Sequence, residues 1–159
     1  MQNKSPTRKN IRLQGHDYSS AGYYFITMCV KGRNPLFGKI VGTTALGRPS
    51  VELSPLGECL DKTIQFAEKN NVRIDKYVVM PNHVHMIIIL THEPDDRGRS
   101  SLQQVVRNIK SYTTKWAGFS FWQARFHDHI IRNETDYQRI WQYIDENPAR
   151  WAEDCYYIK

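Results

Sequence analysis

Two histidines, His83 and His85, stand one residue apart at the head of the apolar run MPNHVHMIIIL, residues 80–90. On an extended strand, positions i and i+2 share a face, so the two imidazoles project side by side while Val84 and Met86 point the other way. Neighbouring neutral imidazoles are nitrogen donors of the kind that divalent metals take. They also fit polar strand-end residues, one satisfied by a backbone carbonyl and one by water. A second His-x-His, His127 and His129 around Asp128 in FHDH, offers the same donors. Spacing alone leaves the choice between the two pairs open.

Further parts of a site lie near the C-terminus. Tyr143 and Asn147 in QYIDEN are four residues apart, which on a helix sets a phenol and an amide one turn apart on one face. A phenol beside a divalent metal can attack a phosphodiester and leave a covalent phosphotyrosine, which keeps the bond energy so that the strand can be rejoined. With an unperturbed pKa of about 10, the phenol needs a basic side chain or a metal-bound water to help remove its proton. Tyr112 in NIKSYTTKW competes for the role, but its i+4 neighbour is Trp116, which cannot ligate a metal. The purely structural alternative makes Tyr143 an amphipathic residue at a core edge and Asn147 the end of a helix before Pro148.

Periodicity defines the elements that must position these residues. Tyr23–Val30 (YYFITMCV) reads as a strand, followed by a turn in GRNPLFG. Residues 41–54 read as two short extended pieces around Gly47 and Pro49, an exposed hairpin. Ser54 as N-cap and Pro55 at the first helical position open a helix whose apolar positions Leu56, Cys59, Leu60, Ile64, Phe66 and Ala67 run towards Asn70–Asn71. Ile74–Met80 and His83–Leu90 read as strands joined at Pro81–Asn82, the second apolar on both faces as a covered central strand would be. After a polar loop, residues 91–101, the positions Leu102, Val105, Val106, Ile109 and Trp116 mark a second amphipathic helix capped by Ser100 or Ser101. ARFHDHIIRN is a mixed stretch. A third helix from about Asn133 carries Tyr137, Ile140, Trp141 and Ile144 on one stripe and ends at Pro148. This order predicts an α+β fold of ferredoxin-like type, with helices packed on an antiparallel sheet.

The 159 residues suffice for one domain, 1–159, with residues 1–12 expected to be a flexible basic arm that runs from Lys4 to Arg12. Three cysteines without CxxC spacing, and a first ten residues without an apolar core, suit a reducing cytoplasm. The longest unbroken apolar run, Met86–Leu90, falls far short of the roughly 20 residues a membrane helix needs. Twenty-two Lys and Arg against 16 Asp and Glu give a formal charge of +6, which favours polyanionic partners.

VVMPNHVHMIII, WQARFHDHIIRN and YIDENPARW are similar, in that order, to the three signature blocks of the single-tyrosine HUH transposases, in particular the REP-associated tyrosine transposases of bacteria. The similarity runs from about Tyr23 to Trp151. The resemblance implies the HUH nuclease fold, His83 and His85 as paired metal ligands, Asn147 as the third ligand and Tyr143 as the nucleophile. It selects His83 and His85 over the FHDH pair and leaves His129 to touch the active site from behind the ligands. It further implies Mg2+ or Mn2+ as cofactor and single-stranded DNA with a hairpin as substrate, cut to give a 5′-phosphotyrosine and a free 3′ hydroxyl. Such an enzyme belongs in the cytoplasm with the nucleoid, and a homodimer is one assembly the resemblance allows.

Arg107, Lys110 and Lys115 on the second helix, with Arg125 and Arg132 around the FHDHIIRN block, are candidate phosphate contacts, each of which would steepen the salt dependence of binding. Phe119, Phe121, Trp122 and Phe126 either stack on unpaired bases or fill the core. Two rival functions follow from other emphases. A non-catalytic descendant would keep the fold and the basic face without turnover, and a zinc hydrolase working through a metal-bound hydroxide would make Tyr143 dispensable.

Overall fold

The computed structural model describes residues 21–42, 47–68, 72–91 and 102–158; the basic arm at 1–12, the Ser100 and Ser101 caps and the Asn70–Asn71 end of the first helix lie outside them. In chain order the strands are β1 (Gly22–Cys29), β2 (Gly38–Val41), β3 (Ser50–Leu53), β4 (Val72–Val79), β5 (His83–Leu90) and β6 (His127–Ile131). The helices are α1 (Pro55–Phe66), α2 (Leu102–Ala117) and α3 (Glu134–Glu146), and a 3₁₀ segment, Asn147–Glu153, continues from α3.

The main sheet has the order β4-β5-β1-β6, with each neighbouring pair antiparallel. The connections β1–α1–β4 and β5–α2–β6 each skip one strand, which is the split βαβ arrangement of the ferredoxin-like fold expected from the sequence. β2 and β3 pair separately as the short hairpin read around Gly47, with β2 starting earlier than expected, at Gly38. β5 is buried along its whole length, as its two-faced apolar pattern requires of a strand covered on both sides.

Alternation along β5 divides the core in two. Val84, Met86 and Ile88 face α1 and α2, packing with Leu60, Ile64, Leu102, Val106 and Ile109, whereas Ile87 and Ile89 face α3 and pack with Ile140 and Ile144. By the same alternation His83 and His85 lie on the α3 side. Local signals set the helix ends. Ser54 Oγ accepts from the Gly57 N–H at 3.1 Å and donates to the Leu36 carbonyl, and Asn133 Oδ1 accepts from the Asp136 N–H at 2.8 Å to start α3. Gly118, at φ +79, takes the left-handed conformation that ends α2.

Several expectations need correction. The mixed stretch ARFHDHIIRN contains β6, which pairs with β1 through Tyr23↔Ile131 to Thr27↔His127. Its polar alternation gave no strand signal because it is a sheet edge with little apolar surface to bury. Phe66, Trp116 and Trp141, assigned to buried stripes, are 74%, 53% and 37% exposed: Phe66 and Trp116 stand in the last turn of their helices, and Trp141 lies at the margin of the apolar face of α3. Trp141 instead carries Lys76 Nζ over its ring at 3.8 Å. Phe121, Trp122 and Phe126 belong to the core, which leaves Phe119 as the one exposed member of the four candidate stacking rings.

Candidate active site

The imidazoles of His83 and His85 are buried at the start of β5, with their Nε2 atoms 3.0 Å apart. Each Nδ1 is held by a neighbour: His83 Nδ1 by Asn82 Oδ1 at 2.8 Å, and His85 Nδ1 by Thr27 Oγ1 at 2.7 Å. Thr27 is opposite His85 in the β1–β5 register, so the sheet itself supplies that contact. The amide of Asn82 donates to the carbonyls of Arg33 and Tyr156, which turns its oxygen towards His83. His83 therefore carries its hydrogen on Nδ1 and points a bare Nε2 lone pair into the site. His85 is not tied in this way, because the Thr27 hydroxyl can rotate to accept or donate. Without a cation, His85 can donate from Nε2 to His83; with one, both Nε2 atoms can ligate.

α3 brings the phenol to the same place. Tyr143 is 42% exposed, and its hydroxyl lies 3.3 Å from His85 Nε2. Phe25 braces both groups, stacked on His85 at 5.4 Å and edge-on to Tyr143 at 6.1 Å between ring centroids. Asn147, where α3 passes into the 3₁₀ segment, is buried, and among the described residues its Oδ1 has no hydrogen-bond partner. A buried amide oxygen without a donor is costly unless something else takes its lone pairs. The two Nε2 atoms and the Asp154 carboxylate, with the Asn147 side chain beside His83, offer a mixed nitrogen and oxygen donor set that suits a divalent metal. The metal-ligating atoms of His83, His85 and Asp154 lie within 4.8 Å of one another.

Burial dominates the electrostatics. It lowers the His83 pKa to about 4, against a pull in the other direction from the Asp154 charge, and it holds His85 well below its usual range with help from His83. Both rings are neutral at physiological pH and ready to ligate. Burial also raises the Tyr143 pKa, the Asp154 charge adds to the rise, and the Asn147 amide opposes it. The phenol thus keeps its proton at neutral pH unless a positive charge arrives beside it.

The other expected site residues are dispersed. His129 is on the β6 edge and its hydrogen bond goes to Asp136 at 2.7 Å, not to His83 or His85; the expected contact with the active site is replaced by a brace on the first turn of α3. His127 on the same edge is exposed. Tyr112 is exposed on α2, across the sheet from the imidazoles. Arg107, Lys110 and Lys115 line a cleft of about 650 Å³ with Trp122 and Phe126, and Lys110 there also donates to the carbonyls of Gln123 and Arg125. Arg125 is exposed nearby, whereas Arg132 lines a separate cleft with Tyr23, Arg73 and Tyr137. The five basic residues therefore do not form one surface. Sequence reasoning missed Thr27, Asn82, Asp154 and Tyr156, whose ring lies 4.4 Å from that of His83. Of these, only Asn82 stood beside a recognised motif.

The chain is similar to known proteins along most of its length. Residues 18–147 match the family described as transposase IS200 like. An uncharacterized protein of Haemophilus influenzae is 34% identical over 176 aligned positions, covering 95% of this chain and 93% of the relative. The REP-associated tyrosine transposase of Escherichia coli is 37% identical over 78 positions, covering 48% of this chain and 44% of that protein. Among solved structures, a REP-associated tyrosine transposase bound to a REP hairpin superposes with a TM-score of 0.64 at 27% identity, covering 88% of this chain and 74% of that one. With most of its length matched, this chain belongs to the IS200-like transposase family, the single-tyrosine HUH transposases that its motifs resemble.

Proposed function

We propose that the protein is a metal-dependent single-strand DNA nuclease and strand transferase in which Tyr143 is the nucleophile. The observation that carries this reading is the 3.3 Å approach of the Tyr143 hydroxyl to His85 Nε2, in a cluster whose buried Asn147 oxygen has no hydrogen-bond donor among the described residues. His83, His85 and Asn147 would hold a Mg2+ or Mn2+ ion, which supplies a Lewis acid for a non-bridging phosphate oxygen and lowers the cost of forming a phenolate. The imidazole pair favours Mn2+ of the two.

The Tyr143 phenol gives up its proton to water and attacks the phosphorus of the scissile phosphodiester as the phenolate. A bond forms between the phenolic oxygen and phosphorus, the bond to the 3′ oxygen breaks, and that oxygen takes up a proton to become the free 3′ hydroxyl. Phe25, packed on both Tyr143 and His85, holds the phenol against the imidazoles for this attack. Attack of a 3′ hydroxyl on the phosphotyrosine reverses the step and joins strands.

Hairpin-bearing repeat DNA is the proposed substrate, supported by the hairpin bound to the structurally similar transposase and by the basic cleft along α2. A protein acting on such DNA would work in the cytoplasm with the nucleoid. The test is incubation with Mn2+ and labelled single-stranded oligonucleotides carrying hairpins from the DNA around its gene, followed by denaturing gels. A covalent adduct lost in Tyr143→Phe and kept in Tyr112→Phe is the expected result. Cleavage without any adduct would replace the reading with a metal-hydroxide hydrolase, and tight binding without cleavage would replace it with a binding module.

A further inference from the structure

We propose that Asp154 is a fourth protein ligand of the metal, so that the ion is held from both ends of the 3₁₀ segment that follows α3. This deepens the metal-site reading above and rests on it. Asn147 opens that segment and Asp154 closes it, and both side chains interact with His83 of β5. The Asp154 side chain is 3% exposed, and its Oδ2 lies 3.8 Å from His83 Nε2. The other carboxylate oxygen accepts from the Tyr156 N–H at 2.8 Å, which leaves Oδ2 facing the imidazole pair.

Three observations give this arrangement the character of a ligand set. Donor atoms that share one ion at about 2.0–2.3 Å cannot lie much more than about 4.5 Å apart, and the His83, His85 and Asp154 atoms already lie within 4.8 Å of one another. The side chain facing Oδ2 is an imidazole whose Nε2, by the Asn82 hydrogen bond, presents a lone pair and not a proton, so lone pair faces carboxylate. The Asn147 oxygen, equally buried, also has no donor among the described residues. A divalent cation satisfies all of these acceptors together, whereas no single protein hydrogen could.

The carboxylate is fixed in place from outside the cluster. Asn82 Nδ2 donates to the Tyr156 carbonyl at 2.8 Å, and an Arg33 N–H donates to the Cys155 carbonyl at 3.0 Å, so the turn that carries Asp154 is tied to the loop preceding β5 and to the segment after β1. An ion held by two imidazoles, an amide and a carboxylate would still have room for the DNA phosphate.

The test is Mn2+ binding by calorimetry in the absence of DNA, on the full chain, for wild type, His85→Ala and Asp154→Asn. Asp154→Asn keeps the oxygen that accepts from Tyr156 and removes only the charge. We expect measurable binding by wild type, none by His85→Ala, and a loss of roughly tenfold or more in affinity for Asp154→Asn with thermal stability in EDTA unchanged or higher. Co2+ absorption of Asp154→Cys distinguishes a ligand from a residue that merely orients His83: direct ligation gives a thiolate-to-cobalt charge-transfer band that the wild-type protein lacks. Unchanged Mn2+ affinity in Asp154→Asn, or no such band in Asp154→Cys, overturns the assignment of Asp154 while leaving the metal site standing. No Mn2+ binding by the wild-type protein overturns both.

Discussion

Acid should destabilise the metal-free protein through its buried imidazole pair. His83 is fully buried, and burial brings its pKa from 6.5 down to about 4 against the opposing charge of Asp154. An unfolded chain takes up this proton as the pH falls through 6.5, and the folded chain takes it up only near 4. The stability tied to this group is therefore complete above about pH 6.5 and is lost progressively as the pH falls towards 4. At about 1.4 kcal/mol for each pH unit, the interval is worth roughly 3 kcal/mol, a large part of the roughly 5–15 kcal/mol that stabilises a typical domain. His85, lowered well below 6.5 by burial and by His83, acts in the same direction. Carboxylates across the protein add their own acid dependence, so the informative quantity is the difference between wild type and His83→Gln. Urea unfolding in EDTA, repeated from neutral pH down to about 4.5, should show a shallower loss of stability in the variant, by roughly 1 kcal/mol per pH unit once the pH is well below 6.5. Parallel curves, or a wild-type protein that gains stability below pH 6.5, would refute the claim that burial keeps this imidazole neutral.

Other expected outcomes concern the same site and its supports. Mn2+ at about 100 times its dissociation constant should stabilise the wild-type protein by about 2.7 kcal/mol in thermal unfolding, and His85→Ala should abolish the shift. Thr27→Val removes the hydroxyl bonded to His85 Nδ1 at 2.7 Å; about 10- to 100-fold weaker metal binding, measured by titration, is expected because the ring loses its orienting partner. Ile144→Ala, at a fully buried position beside Ile87, Ile89 and Ile140, should cost about 2–5 kcal/mol in denaturant unfolding through the cavity it opens. Because Ile144 adjoins Tyr143 in α3, adduct formation should fall as well.

Features that depend on near neighbours were legible in the sequence. Ser54–Pro55 and Asn133 announced helix starts, and the uninterrupted apolar run of β5 announced a covered central strand. The spacings His83/His85 and Tyr143/Asn147 announced paired side chains, because a strand repeats every two residues and a helix turn every three to four. The family resemblance on those motifs led to the same fold that the sheet order displays.

Tertiary structure decided what depends on long-range contact. HVH and HDH alternate identically in sequence, yet β5 sits inside the sheet and β6 at its edge, so the first pair is dehydrated and the second is exposed. β6 is a strand because β1 offers it a backbone edge to pair with, a partner about 100 residues away in the chain that local propensity does not register. Asp154 stands just past the 3₁₀ segment, on neither a strand nor a helix period; its turn is held near His83 by Asn82, which donates to the Tyr156 carbonyl across 74 residues of chain. The basic residues behaved similarly: equal in charge on paper, they separate onto two clefts once α2 and α3 pack on opposite faces of the sheet. Helix and strand periods are written locally, but which donor atoms share one small volume is set by which strands become neighbours, and only the folded sheet carries that information.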